Sequence, residues 1–155
     1  MKLVLIQVGK TDASYLQAGI AEYEKRLPRY GPFELITIPD VKKIKDDQDQ
    51  KKKEGAAILT KIQGGDFVVL LDEKGKHLNS RQLSDFLQKK MNESLKRLVF
   101  VIGGPFGFSE DVYRAGHMKL SLSALTFSHQ MVRLFFMEQL YRAQTILRNE
   151  PYHHD

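Results

Sequence analysis

The chain has 155 residues, 42% of them hydrophobic, with no cysteine and a formal net charge of +5. Such a length suits one globular domain with a continuous core, and the absence of thiols excludes disulfides, thiolate metal sites and a cysteine nucleophile, which fits a reducing compartment. The basic excess favours anionic partners such as RNA; no apolar run reaches the length of a membrane span and residues 1–8 are too short for a signal core with a cleavage site, so a cytoplasmic location is expected.

Residues 2–8 read as a first strand, followed directly by Gly9-Lys10-Thr11. A phosphate-binding P-loop would need a further glycine where this chain has Val4, so the segment reads instead as a strand-to-helix turn. Thr11 or Asp12 is expected to cap a helix that carries Tyr15, Leu16, Ile20, Tyr23 and Leu27 at helical spacing, ended by Pro28 and Gly31-Pro32. Residues 33–38 alternate as a second strand and close at Pro39-Asp40. Residues 42–54 are dense in charge of both signs and read as a loop running into a solvated helix face. The functional alternative is a lid or an RNA-touching arm, with Lys42, Lys43, Lys45, Lys51, Lys52 and Lys53 on phosphates. Ala56, Ala57, Leu59 and Ile62 then supply an apolar face, and Gly64-Gly65 stops the helix.

Residues 66–71 form a continuous apolar run, the mark of a strand covered on both faces. Ser80 is a candidate N-cap for a helix bearing Leu83, Phe86, Leu87, Met91 and Leu95. The run 98–102 reads as a buried strand that stops at Gly103-Gly104-Pro105-Phe106-Gly107, a turn whose bare backbone can approach a ligand. Ser109 caps the next helix with Glu110 and Asp111 in its first turn, and those two acids argue against a phosphate at that terminus. Residues 118–122 read as the last strand, 123–128 as a loop, and 129–148 as the longest helix. The order is that of a single α/β domain with a mostly parallel sheet and helices on both faces. On the last helix Val132, Phe136, Leu140, Ala143 and Leu147 form one stripe and Leu134, Met137 and Tyr141 another, which predicts one face on the sheet and one on a partner subunit.

Taken together, these residues carry a resemblance. The opening Met1-Lys2-Leu3 with Val8-Gly9-Lys10, the runs Glu22-Tyr23-Glu24-Lys25-Arg26-Leu27 and Lys53-Glu54-Gly55, Leu71-Asp72 with Gly75-Lys76, and Ile102-Gly103-Gly104 with Gly107 belong to it. So do Leu122-Ser123 with Leu125-Thr126, His129-Gln130-Met131-Val132-Arg133, Glu138-Gln139-Leu140-Tyr141-Arg142-Ala143 and the tail Pro151-Tyr152-His153. In order and over the whole chain, they resemble the bacterial ribosomal RNA large-subunit methyltransferase H family of the SPOUT class, enzymes that methylate N3 of a pseudouridine in large-subunit ribosomal RNA. Phe106 inside the glycine turn and the final His154-Asp155 depart from that pattern.

The resemblance implies a homodimer with a C-terminal trefoil knot, S-adenosylmethionine held in the knot loops, and large-subunit ribosomal RNA within the ribosome as partner. It places the cofactor against Leu71, Gly103, Leu122, Ser123, Ala124, Leu125, Thr126 and Phe127. Methyl transfer from a sulfonium is an in-line displacement, so positioning and exclusion of water matter most, and the imide N–H must also lose its proton. Candidates for that role, or for stabilising the resulting anion, are His129, Arg133, Arg142, Tyr152 and His153, the last two closing over the site from the chain's end. Each also has a plain reading: His129 as a loop cap, the arginines as ion-pair partners of Glu138, and the tail as a loose terminus. His153, His154 and Asp155 lack the spacing of a metal site, and none is expected; His77 and His117 read as surface residues. A non-catalytic ribosome- or RNA-binding protein of the same fold, and an enzyme acting on a phosphorylated small molecule, are the rival readings.

Overall fold

Apolar runs without alternation become strands covered on both sides, and here they set the architecture. The computed structural model describes residues 1–41 and 46–154. In chain order these form β1 (Lys2–Val8), α1 (Ser14–Arg26), a 3-10 turn (Leu27–Tyr30), β2 (Phe33–Ile38), α2 (Asp47–Leu59), β3 (Phe67–His77) and α3 (Ser80–Asn92). There follow β4 (Arg97–Ile102), α4 (Glu110–Ala115), β5 (Met118–Ser121) and α5 (Met131–Leu147). The strands make one five-stranded sheet, ordered β2-β1-β4-β3-β5 and parallel throughout. On one face Val4, Ile6, Val99 and Val101 meet Ile58 of α2 and Val112 of α4. On the other, Leu3, Leu5, Leu98 and Phe100 meet Ile20 of α1, Leu87 of α3 and Phe136 and Leu140 of α5. The expected α/β architecture with helices on both faces is therefore present, and a sheet covered on both sides has no solvent face to alternate with. No helix among the described residues is long and apolar enough to cross a membrane.

The differences from the expected elements have local causes. Neither Thr11 nor Asp12 caps α1, whose N-cap Ala13 makes no side-chain bond. Both are engaged by α5 and its approach instead: the Asp12 N–H donates to Gln130 Oε1 at 2.8 Å, and Arg133 donates to the Thr11 hydroxyl at 2.9 Å. Asn79, not Ser80, caps α3, in a capping box with Gln82. The Ser80 hydroxyl is free to reach Gln139 of α5 at 2.9 Å. Within the charged segment the expected helix starts early, at Asp47, capped by Asp46, which accepts from the Gln48 N–H at 3.0 Å. The phosphate contacts expected of Lys42, Lys43 and Lys45 lie outside the described residues. α5 begins at Met131 because Ser128 accepts the Met131 N–H at 3.1 Å, which leaves His129 in the loop.

β3 runs on past Leu71 to His77, and Leu71 and Lys76 both pair with Leu120 of β5. Residues 72–75 therefore leave the ladder. A Cβ on Gly75 would lie 2.6 Å from the Leu120 backbone, so only glycine lets the returning chain come this close. The two apolar stripes of α5 are both met within the chain: Phe136, Met137, Leu140 and Ala143 are wholly buried, and Tyr141 packs on Tyr23 and Tyr30 at 5.7 Å. That pattern does not by itself call for a second subunit. The apolar residues α5 leaves exposed are Met131 and Phe135.

Candidate active site

All five strands point their C-terminal ends to one edge of the sheet, the edge where open α/β sheets bind ligands. There the ends of β3, β4 and β5 enclose a cavity of about 300 Å³. Leu71, Gly103, Leu122, Ser123, Leu125, Thr126 and Phe127 line it, together with His129 and Val132 at the start of α5. Ala124 lies exposed on the same loop, outside the wall. Loop 122–130 is shaped by its own serines: Ser121 Oγ donates to the Ser123 carbonyl at 3.0 Å, and Ser123 Oγ accepts the Leu125 N–H at 3.0 Å. Leu125 is left 75% exposed at the rim, an apolar side chain that no described residue covers.

Ile102, Phe108, Leu120 and Val132 make the apolar wall; Asp72, Glu73, Lys74, Tyr113 and His129 make the polar one. Asp72 Oδ1 accepts the Lys74 N–H at 2.8 Å and Oδ2 accepts the Tyr113 hydroxyl at 2.6 Å. Burial alone would raise its pKa, but these two bonds and the charges of Lys119 and Lys74 hold the carboxyl below its ordinary value, so it is ionised near neutrality. Burial and the same bond push the Tyr113 phenol up to about 12. Neither residue was named from sequence as part of the site. A phenol on α4 and a carboxylate within β3 are 41 positions apart, and no spacing rule joins them.

Behind the glycine turn sits Glu54, only 2% exposed although it ends a run that looks solvated. Its Oε1 accepts from Gln50 Nε2 at 2.9 Å, while Oε2 has no hydrogen-bond partner among the described residues. Burial raises its pKa, opposed by the bond from Gln50 and by the charge of His129 and reinforced by Asp40. A Cβ on Gly104 would stand 2.7 Å from Glu54 Oε2, so the carboxyl occupies the space that the missing side chain leaves.

The other candidate residues lie elsewhere. Arg133 is wholly buried; its Nη2 donates to the Val8 carbonyl and its Nη1 to Thr11, tying α5 to the end of β1. Arg142, Tyr152 and His153 form a separate cluster on the α1–α5 side. There Arg142 Nε donates to Glu138 Oε1 at 3.1 Å, Tyr152 Oη donates to the same oxygen at 3.0 Å, and His153 Nδ1 stands 3.3 Å from Arg142 Nη1. Arg142 also lies 4.8 Å from the Tyr152 ring centre, and burial pushes the Tyr152 phenol up. Tyr152 and His153 are thus folded against α5 rather than loose. His117, read as a surface residue, accepts the Val68 N–H on Nδ1 at 3.1 Å and stacks on Phe67 at 4.9 Å; His77 is exposed. Among the described residues no group of three or more His, Cys, Asp or Glu could hold a metal ion.

With this geometry in hand, comparison with known proteins is consistent over the full chain. Residues 1–153 match the family described as Predicted SPOUT methyltransferase. The chain is 59% identical over 157 residues to a Ribosomal RNA large subunit methyltransferase H from Parabacteroides distasonis, covering all of both chains. It is likewise 59% identical to the protein of that name from Christiangramia forsetii, covering 99% of each. Among solved structures it resembles a probable methylase family protein from Haemophilus influenzae, with a TM-score of 0.56 at 12% identity over 99% of this chain and 70% of that one, a likeness of fold.

Proposed function

Because the chain belongs to the ribosomal RNA large subunit methyltransferase H family of SPOUT methyltransferases, we propose that it transfers a methyl group from S-adenosylmethionine to N3 of a pseudouridine in large-subunit ribosomal RNA, with the assembled ribosome as substrate. The observation that carries this reading is the cavity where loops 71–74, 102–104 and 120–127 meet. Its character suits the cofactor. About 300 Å³ falls at the lower end of small-ligand sites, roughly 300–1,000 Å³, and its mixture of apolar side chains with exposed loop backbone matches an adenine that needs a slot and polar contacts at its edge. Of its wall, Leu71, Gly103, Leu122, Ser123, Leu125, Thr126 and Phe127 are assigned to hold it, and Ala124 contributes only as a link of the same loop. The family's trefoil knot belongs to the same proposal; between Leu71 and Lys76, which both pair with Leu120, residues 72–75 bulge out of the ladder.

The bound cofactor supplies an electrophilic methyl group on a sulfonium. The chain's share is to hold the nucleobase in line, keep water out and accommodate the loss of the imide proton. His129 opens onto the cavity and is the residue of the same protomer assigned to that proton. Arg133 supports the site through the end of β1. Arg142 on α5, which holds Tyr152 and His153 beside it, lies about 15 Å along the helix axis from Val132 of the cavity, too far to serve its own protomer's site. A homodimer in which the partner's tail covers the cavity would bring the two together, and the exposed Leu125, Met131 and Phe135 near the cavity give such a contact apolar surface.

The test is transfer of labelled methyl from S-adenosylmethionine to ribosomes that lack the modification, with free ribosomal RNA alongside and nucleoside analysis of the product. Label in N3-methylpseudouridine on the particle, and much less on free RNA, is the expected result. Cofactor binding without transfer to either would sink the catalytic reading and favour a ribosome-binding role.

A further inference from the structure

We propose that Asp72, aimed by Tyr113, recognises the cationic methionyl end of the methyl donor; this rests on the cofactor reading above. The carboxylate lines the cavity where β3 parts from β4, and each of its oxygens has one donor, the Lys74 N–H at 2.8 Å and the Tyr113 hydroxyl at 2.6 Å. A carboxylate oxygen accepts two bonds, so each keeps one site for a ligand.

A turn needs less than this. The bond from the Lys74 N–H alone would shape the chain after Leu71, as Asp residues do in many turns. The second bond comes from a different element, and it is braced: the Tyr113 ring stands edge-on to Phe108 at 5.6 Å, with Lys119 Nζ 4.7 Å from its centre. Residues from β3, α4 and the segment after the glycine turn thus converge on the direction of one carboxylate in a cavity wall. Beside it stands a second acid, Glu73, so the polar wall carries two carboxylates against Lys74 and His129. Beside the α-carboxylate that both share, the donor bears a sulfonium and an ammonium, the demethylated product only the ammonium. A fixed carboxylate in a partly dry wall favours a cation more than water does, because its orientation is set before the ligand arrives. Tyr113 is a positioning residue here.

The experiment is calorimetric titration of wild type, Asp72→Asn and Tyr113→Phe with S-adenosylmethionine, S-adenosylhomocysteine and methylthioadenosine, with thermal melting to check folding. The expected result is a loss of about 10- to 100-fold for S-adenosylmethionine in Asp72→Asn, a smaller loss in Tyr113→Phe, and no change for methylthioadenosine, which has neither cation. An equal loss for S-adenosylhomocysteine assigns Asp72 to the ammonium; a smaller one assigns it to the sulfonium. Unchanged binding of S-adenosylmethionine in Asp72→Asn, or the same loss for all three ligands, overturns the proposal while wild-type binding leaves the functional reading standing. Wild type that binds none of the three overturns that reading instead.

Discussion

Replacing Arg133 with methionine separates a structural role from a chemical one. The side chain is 0% exposed, so its guanidinium has no water to fall back on. It donates to the Val8 carbonyl and, at 2.9 Å, to Thr11, and burial lowers its pKa against the opposing pull of Asp40 and Asp12. Methionine keeps much of the stem and removes both bonds. Each charge-assisted bond contributes about 1.5–3 kcal/mol, and an unmet buried carbonyl costs a further ~1–3 kcal/mol. Against this stands the recovered cost of burying an ion, several kcal/mol. The net expectation is a loss of about 2–4 kcal/mol, or roughly 5–15 °C in melting temperature for a chain of this size. Circular-dichroism melting reads the first effect, and single-turnover methyl transfer well below both transitions reads the second. The expected outcome is a marked drop in melting temperature with the chemical step changed only a few-fold. An unchanged melting temperature with turnover down by orders of magnitude would refute the anchoring role and return Arg133 to the list of groups acting on substrate.

Gly104→Ala sets a Cβ 2.7 Å from Glu54 Oε2. Either the buried Glu54 carboxyl or the turn must shift to relieve it, at about 1–3 kcal/mol; because Glu54 is buried the turn is expected to give, cofactor affinity to fall about tenfold in calorimetric titration, and affinity to recover in part when Glu54→Ala is added. Glu54→Gln tests the buried carboxyl itself. Since burial raises its folded pKa above the ordinary 4.5, wild type has that part of its stability in full at low pH and loses it as pH rises through the folded value. Urea midpoints between about pH 4 and pH 8 are expected to show the glutamine variant gaining on wild type toward high pH; parallel curves would contradict the burial. If the tail acts across a dimer, His129→Ala and Tyr152→Ala variants, each inactive alone, are expected to regain about a quarter of wild-type turnover when mixed as heterodimers, since half the pairs then hold one intact site. No recovery in a mixture shown to exchange subunits would confine each site to one protomer.

The sheet was legible because its strands announce themselves: residues 3–6 and 98–102 are apolar without a break, and only burial on both faces uses such a run. The glycine turn reads as a place where bare backbone can approach a ligand because it follows the end of such a strand; the loop before α5 reads only as a loop, and its assignment to the cofactor comes from the family resemblance. Caps were read less well. Asn79 and Ser80 are adjacent and chemically alike, and what decides between them is that Gln82 lies three residues after Asn79 while Gln139 of α5 stands ready for the Ser80 hydroxyl. The second stripe of α5 misled because a protein surface and a neighbouring helix demand the same side chains; Tyr141 meets Tyr23 and Tyr30 of its own chain.

What stayed hidden was charge that is buried. Residues 47–54 look like a solvated face because composition averages over them, and seven of those eight positions are in fact exposed or partly exposed. The eighth, Glu54, is inward because Gly104 leaves a hole fifty positions away, and a hole made by an absent side chain has no signature near the residue that fills it. The same holds for Asp72, whose partner Tyr113 comes from another element. Local sequence therefore reports the frame of this site, its apolar slot and bare backbone, while the groups that set its electrostatics are specified by pairs of distant residues. Those groups carry the choice among ligands that share an adenosine, because every such ligand fills the slot alike and only the charge at the other end differs.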